Sequence, residues 1–213
     1  MAVGKIDRAL VADTALRLLN EVGLDGLSLR AIAKELDVKA PALYWHFKDK
    51  QALLDEMATE IFRRMIAGTR VPADTEWRER LLVTSRGLRA ALLGYRDGAK
   101  VFSGSRFTGI VHAARMEESL RAFVDAGFTL RQAVRATNTA YLFTLGFVTE
   151  EQGVYPLPGE RREGFDVAAR ADLLAGYPLS AAAGEVIFDG YDEAFEEGLE
   201  LLLKGIEAHR GAG

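Results

Sequence analysis

Residues 28–50 read SLRAIAKELDVKAPALYWHFKDK, and this stretch decides the fold. Ser28 can accept a hydrogen bond from a first-turn amide, and Leu29, Ile32, Ala33 and Leu36 follow at helical spacing, which predicts a short helix with a buried stripe. Asp37 tolerates left-handed torsions, and Val38 returns the chain to the core. A second helix opens around Lys39–Pro41, where proline is harmless in a first turn. Two short helices joined this tightly form a helix-turn-helix unit. On the second helix Leu43 and Phe47 face inward at i and i+4, leaving Lys39, Ala40, Ala42, Tyr44, Trp45 and His46 largely outward. The competing reading makes Tyr44 and Trp45 ordinary core. It strains the geometry, because consecutive bulky residues about 100° apart cannot all share the inward face. Exposed aromatics beside Lys39, Lys48 and Lys50 suit sugars, phosphates and thymine methyls.

Working outward, residues 6–22 form an amphipathic helix with Ile6, Leu10, Leu16 and Leu19 on one face, ended by Gly23, which completes a three-helix domain. Asp49 caps a long helix to about Ile66 carrying Leu53, Leu54, Met57, Ile61, Phe62 and Met65. A loop at residues 68–72 precedes a helix capped by Thr75 and running to about Gly94. A short element at residues 97–101, a glycine-bearing loop at 103–109 and a helix to Ala126 follow. Thr129 with Gln132 makes a capping-box pattern before a strongly apolar helix to about Glu151. GVYPLPGERREG at residues 153–164 reads as a mobile loop, residues 166–175 as a short helix and residues 189–209 as the last one. No segment alternates with period two, so the expected fold class is all-α.

An apolar content of 49% over 213 residues can fill a real core. Cysteine is absent, which excludes disulfides and thiolate metal sites and is compatible with a reducing cytoplasm, the expected location. The charged N-terminus is unlike a signal peptide, and no apolar run reaches membrane-spanning length, so no membrane partner is expected. The net charge of −4 argues at first against nucleic acid. Residues 1–50 carry +1 and the remainder −5, a slight asymmetry, so DNA binding has to rest on local faces and on doubling in a dimer.

From residue 6 to residue 60 the chain resembles the DNA-binding domain of the tetracycline-repressor (TetR) family of bacterial regulators. LYWHFKDKQALL at residues 43–54 carries the match, and YRDGAKVF (95–102), AGF (126–128) and FTLGFVTEEQ (143–152) extend it, more weakly, over nearly the whole chain. The resemblance implies a helix-turn-helix domain at residues 1–50 and an effector-binding and dimerisation domain at 51–213, joined by the helix at about 49–66. It implies double-stranded DNA with a palindromic operator, a small-molecule effector and a homodimer as partners, with no cofactor. Two helices look too apolar for a monomer's surface: residues 130–148 with Tyr141, Phe143, Leu145 and Phe147, and the last helix with Phe188, Tyr191, Phe195, Leu199, Leu202, Leu203 and Ile206. Either both are internal core or, as the resemblance implies, they form the dimer's four-helix bundle.

By the same resemblance, Ser28, Leu29, Arg30, Lys39, Ala40, Pro41, Ala42, Tyr44, Trp45, His46 and Lys50 occupy DNA-contacting positions. Arg30 has the fork geometry for guanine O6 and N7, unless it bridges to Glu35 or Asp37, and Lys50 suits a phosphate. The repressor for which the family is named carries glutamine, threonine and threonine at Ala40, Ala42 and Leu29, so a different operator is expected. The positions matching that repressor's pocket are Ile66, Thr84, Leu88, Phe102, Ser105, Arg106, Phe107, Met116, Ser119, Val134, Thr137, Tyr141 and Glu150. Its metal-ligating histidine is Phe102 here, and its ring-recognising histidine, asparagine and phenylalanine are Ile66, Thr84 and Leu88. A phenyl ring cannot hold magnesium, so no metal site is expected and the effector is expected to be a mostly hydrophobic organic molecule. Arg106 either meets an anionic or carbonyl group on it or is a surface cation.

Two rival functions fit fewer residues. An enzyme is disfavoured because His46, His112 and His209 are scattered and no nucleophile elbow or phosphate-cradling glycine loop is present. A ligand-binding dimer without operator binding conflicts with the Tyr44, Trp45, His46 and Lys50 set. A transcriptional activator of the same fold stays open.

Overall fold

A computed structural model describes residues 6–210; residues 1–5, read above as unlike a signal peptide, lie outside the described part, as do 211–213. The described residues form eleven α-helices with no strand, an all-α architecture as expected. The helices are α1 (Arg8–Gly26), α2 (Leu29–Glu35), α3 (Ala40–Tyr44), α4 (Lys50–Gly68), α5 (Trp77–Leu93), α6 (Gly98–Phe102), α7 (Ala113–Asp125), α8 (Leu130–Val154), α9 (Val167–Leu173), α10 (Pro178–Phe188) and α11 (Tyr191–Arg210).

Local chemistry starts and stops most of them. Asp7, Ser28, Asp49 and Asp166 each accept a first-turn amide of the helix that follows, and Thr129 and Gln132 close a reciprocal capping box at α8. Gly23 breaks the helical run of α1 with φ 67°, as its position predicts, although a further turn continues to Gly26. Asp37 takes the left-handed turn at φ 51°, which lets the Val38 amide reach the Ala33 carbonyl at 2.9 Å and closes the helix-turn-helix.

Leu16, Leu19, Leu27, Ile32, Leu43, Phe47, Leu53 and Met57 are fully enclosed and form the core of helices α1–α4. This core runs on without a break through Ile61 and Met65 to Leu88, Val101, Phe102 and Val148, so α4 belongs to both halves of the molecule. A second cluster, with Trp77, Leu82, Phe123, Phe128, Phe195, Leu199 and Leu203, binds α5, α7, α8 and α11. Helix α8 touches α5, α6, α7 and α11 and is the hub of the larger half.

Several expectations need correction. Of the stripe predicted for α1, Leu16 and Leu19 are buried and Ile6 packs on the core, but Leu10 is exposed and its place is taken by Val11, Ala12, Ala15 and Leu18. Thr75 does not cap α5, whose cap is Glu76 without a side-chain bond. Helix α8 continues to Val154, so Gly153 is helical and the loop begins at Tyr155. Helix α10 was not anticipated, and Phe188 belongs to it rather than to the last helix. The mean apolar character of PLSAAAGEVIF hides any one-sided pattern, so periodicity gave no signal there. Phe195, Leu199 and Leu203 are intramolecular core against α8, with Phe143 and Phe195 stacked at 5.6 Å.

Candidate functional site

The helix-turn-helix presents a face that packing does not use. Arg30, Lys39, Pro41, Tyr44, Trp45 and Lys50 are exposed, Trp45 at 90%, while Leu43 and Phe47 beneath them are fully buried. Arg30 makes no ion pair among the described residues; Glu35, its proposed alternative partner, instead bonds Arg17 at 2.8 Å. Ala42 and His46 are half-buried, and so is Ala40, which packs on the core. Ser28 spends its hydroxyl as acceptor to Ala31 N at 3.1 Å. Leu29 departs from the expected set: at 7% exposure its side chain faces the core and offers no methyl to a base. Lys50 Nζ donates to the Leu24 carbonyl at 2.9 Å, tying α4 to the end of α1 while its remaining protons stay free. The His46 carbonyl accepts from Arg8 Nη1, and the Arg8 guanidinium lies 4.5 Å over the Phe47 ring and bonds the buried Glu56, so the turn after α3 is held from behind.

In the larger half, α4, α5, α6, α7 and α8 enclose a cavity of about 360 Å³, at the lower end of the range that small-molecule sites occupy. Of the thirteen positions expected, Thr84, Leu88, Phe102, Phe107, Met116, Ser119, Val134, Thr137 and Tyr141 line it. Ile66, Ser105, Arg106 and Glu150 do not; Arg106 and Glu150 are exposed. The aromatic wall is continuous, with Phe107 4.7 Å from Phe62, 5.4 Å from Phe102 and 5.5 Å from His112. Met116 and Val134, each about half exposed, mark its mouth between α7 and α8. Sequence reading missed Arg80, His112 and Arg115. Arg80 sits one turn before Thr84, and that i, i+4 relation to a residue already singled out was the one signal available.

The two regions touch through polar contacts. Asp97, the left-handed residue at φ 56° that precedes α6, accepts the Leu24 amide at 3.0 Å. Burial works against its ionisation, but the bonds from Lys100 and Leu24 outweigh it and hold the carboxyl below its ordinary value. Arg96 donates through its backbone to Asn20 Oδ1 at 2.8 Å and through Nε to the Asn20 carbonyl at 3.0 Å. Gln152, buried on α8, bonds the Leu92 and Tyr95 carbonyls and the Ala99 amide, fixing the turn between α5 and α6.

Residues 11–57 match the sequence profile described as "Bacterial regulatory proteins, tetR family", and residues 71–210 that of the "Tetracyclin repressor-like, C-terminal domain". The chain belongs to the TetR family. Tetracycline repressor protein class A from transposon 1721 of Escherichia coli is 39% identical over 206 residues, 97% of this chain and 93% of that one. Among solved structures, a possible TetR family regulator from Streptomyces coelicolor A3(2) superposes with a TM-score of 0.82 at 38% identity, covering 95% of this chain and 99% of its own. TetR class A in complex with 5a,6-anhydrotetracycline and magnesium superposes at 0.68 with 36% identity, covering 93% and 96%. The TetR profiles divide this chain between residues 57 and 71, within and just beyond α4, where the core is also shared.

Proposed function

We propose that this TetR-family protein is a cytoplasmic, ligand-responsive transcriptional repressor. It binds a palindromic operator as a homodimer and is released by a small, mostly hydrophobic effector other than magnesium tetracycline. The observation that carries the reading is Trp45, an indole 90% exposed, with Tyr44, Lys39 and Arg30 also exposed, on a helix-turn-helix whose core closes without it. Such a side chain has no internal partner and suits a groove. Arg30, unpaired, is the candidate for direct guanine readout; with Leu29 turned inward and alanines at 40 and 42, the remaining base contacts are apolar. Two copies are needed because one copy supplies few phosphate-neutralising cations. Repression is favoured over activation because a dimer on a promoter palindrome excludes polymerase without a further contact surface.

The effector reading rests on the cavity. Among the described residues no carboxylate lines it, Phe102 stands in its wall as a phenyl ring and Glu150 lies outside, so the donor set does not fit a magnesium chelate. Phe102 also ends α6, whose preceding Asp97 holds Leu24. A ligand pressing on Phe102 therefore shifts the seat of α1 as well as of α4, and it acts by its differential affinity for the two arrangements.

Selection of bound sequences from random DNA by the purified protein, with oligomeric state measured alongside, tests the proposal. A dimer enriching a palindrome supports it; failure to enrich any sequence at low salt ends the operator claim.

A further inference from the structure

We infer that the cavity takes a flat aromatic anion, whose negative oxygen is received by Arg80 and His112 at the α5–α7 wall while its rings lie among Phe62, Phe102 and Phe107. This rests on the reading of the cavity as the effector site and specifies the effector's chemistry. Arg80 is 1% exposed, with Nη2 bonded to the Pro72 and Ala73 carbonyls at 2.7 and 3.1 Å and Nη1 only 3.4 Å from Glu118. Its Nε–H has no partner among the described residues. Arg115 draws on the same carboxylate at 3.7 Å, and Glu118 is itself half exposed, so two guanidiniums share one poorly placed negative charge. Positive charge therefore exceeds negative at this wall, and no carboxylate stands among the described lining residues.

Two more buried atoms in the same wall lack partners, Thr84 Oγ1 and His112 Nδ1. Thr84 follows Arg80 by one turn of α5 and faces the same way. His112 opens the thirteen-residue α7, whose first amides have no side-chain cap, and its ring leans on Phe107 at 5.5 Å. An unpaired buried donor on a charged group is costly, and an anionic oxygen is the acceptor that relieves it. Arg106, read from sequence as either meeting such a group or standing as a surface cation, is exposed and outside the cavity, so the anion's seat lies at Arg80.

The test is fluorescence titration of the full chain with naphthalene-2-carboxylate and anthracene-9-carboxylate, each beside its neutral carboxamide, at neutral pH. The acids are expected to bind about 10- to 100-fold more tightly than the amides. Arg80→Gln should remove that preference. Because Arg80 also tethers the α4–α5 loop, His112→Phe provides a second variant that keeps the ring on Phe107 and should reduce the preference without touching the loop. Equal binding of acid and amide, no binding by either, or a preference that survives both substitutions overturns the inference. Operator release is measured separately. An acid that binds selectively but leaves operator DNA bound counts against the effector reading and not against the anion site. A neutral ligand that releases DNA while acids show no preference does the reverse.

Discussion

Arg30 and Leu29 are neighbours in sequence and opposites in role. Arg30 stands on the outward face without an ion pair among the described residues, so Arg30→Ala is expected to leave the fold intact and to weaken operator binding by about 1–3 kcal/mol while relaxing the preference at one base pair. Fluorescence anisotropy on the selected operator and on its single-base variants measures both effects. Leu29 is packed at 7% exposure, so Leu29→Ala should cost about 2–3 kcal/mol of stability in a urea unfolding series. Loss of base preference without loss of stability would return Leu29 to the DNA face. The resemblance placed both residues on DNA because a family position is a point in sequence. Side-chain direction is set by which face of α2 meets α1 and α3. The same distinction separates Phe102, which lines the cavity, from Arg106, which does not.

At the scale of elements, the turn between α5 and α6 is closely packed and held by Gln152. A Cβ at Gly98 would collide with the Leu92 carbonyl, so Gly98→Ala is expected to destabilise the protein by about 1–3 kcal/mol, read as a lower denaturation midpoint. Asp97, beside it, holds Leu24 through a carboxylate whose pKa is depressed, its bonds to Lys100 and Leu24 outweighing burial. A depressed folded-state pKa contributes stability above the unfolded value and loses it as pH falls through the folded one. Acid should therefore loosen the seat of α1 only below the usual aspartate range. Asp97→Asn should be less stable than wild type at neutral pH and match it at strongly acid pH, as thermal melts across that range would show. Capping made these boundaries readable in advance at Ser28, Asp49 and Thr129, since a cap is a local bond. Helix α10 escaped because its apolar residues follow no single face. It packs chiefly on α9, with Phe165 against Phe188 at 4.9 Å, and leaves Leu179 and Val186 largely exposed.

For the whole molecule, the proposed dimer makes the sharpest demand. Leu142 on α8 and Leu201 on α11 are exposed, at 55% and 70%, on helices whose other faces are already core. A charge at Leu201 should leave the monomer's helicity unchanged and weaken self-association about ten-fold or more, measured by sedimentation. A dimer as tight as wild type would place the interface elsewhere. The direct bonds from Asn20 and Leu24 to the α5–α6 turn make the DNA-binding helices part of one body with the cavity, so operator affinity and ligand occupancy are expected to be coupled.

The amino-acid sequence alone determined the all-α class, the helix-turn-helix at residues 28–50, its exposed aromatics and most helix starts. Each of these depends on neighbours a few residues apart, through periodicity, a cap or a turn torsion. Only the tertiary structure decided that Phe195 and Leu203 are internal core, and that Arg80 and His112 share a cavity wall with Thr84. Those facts depend on how distant helices meet, and packing between residues far apart in the chain leaves no local trace by which sequence alone could rank them.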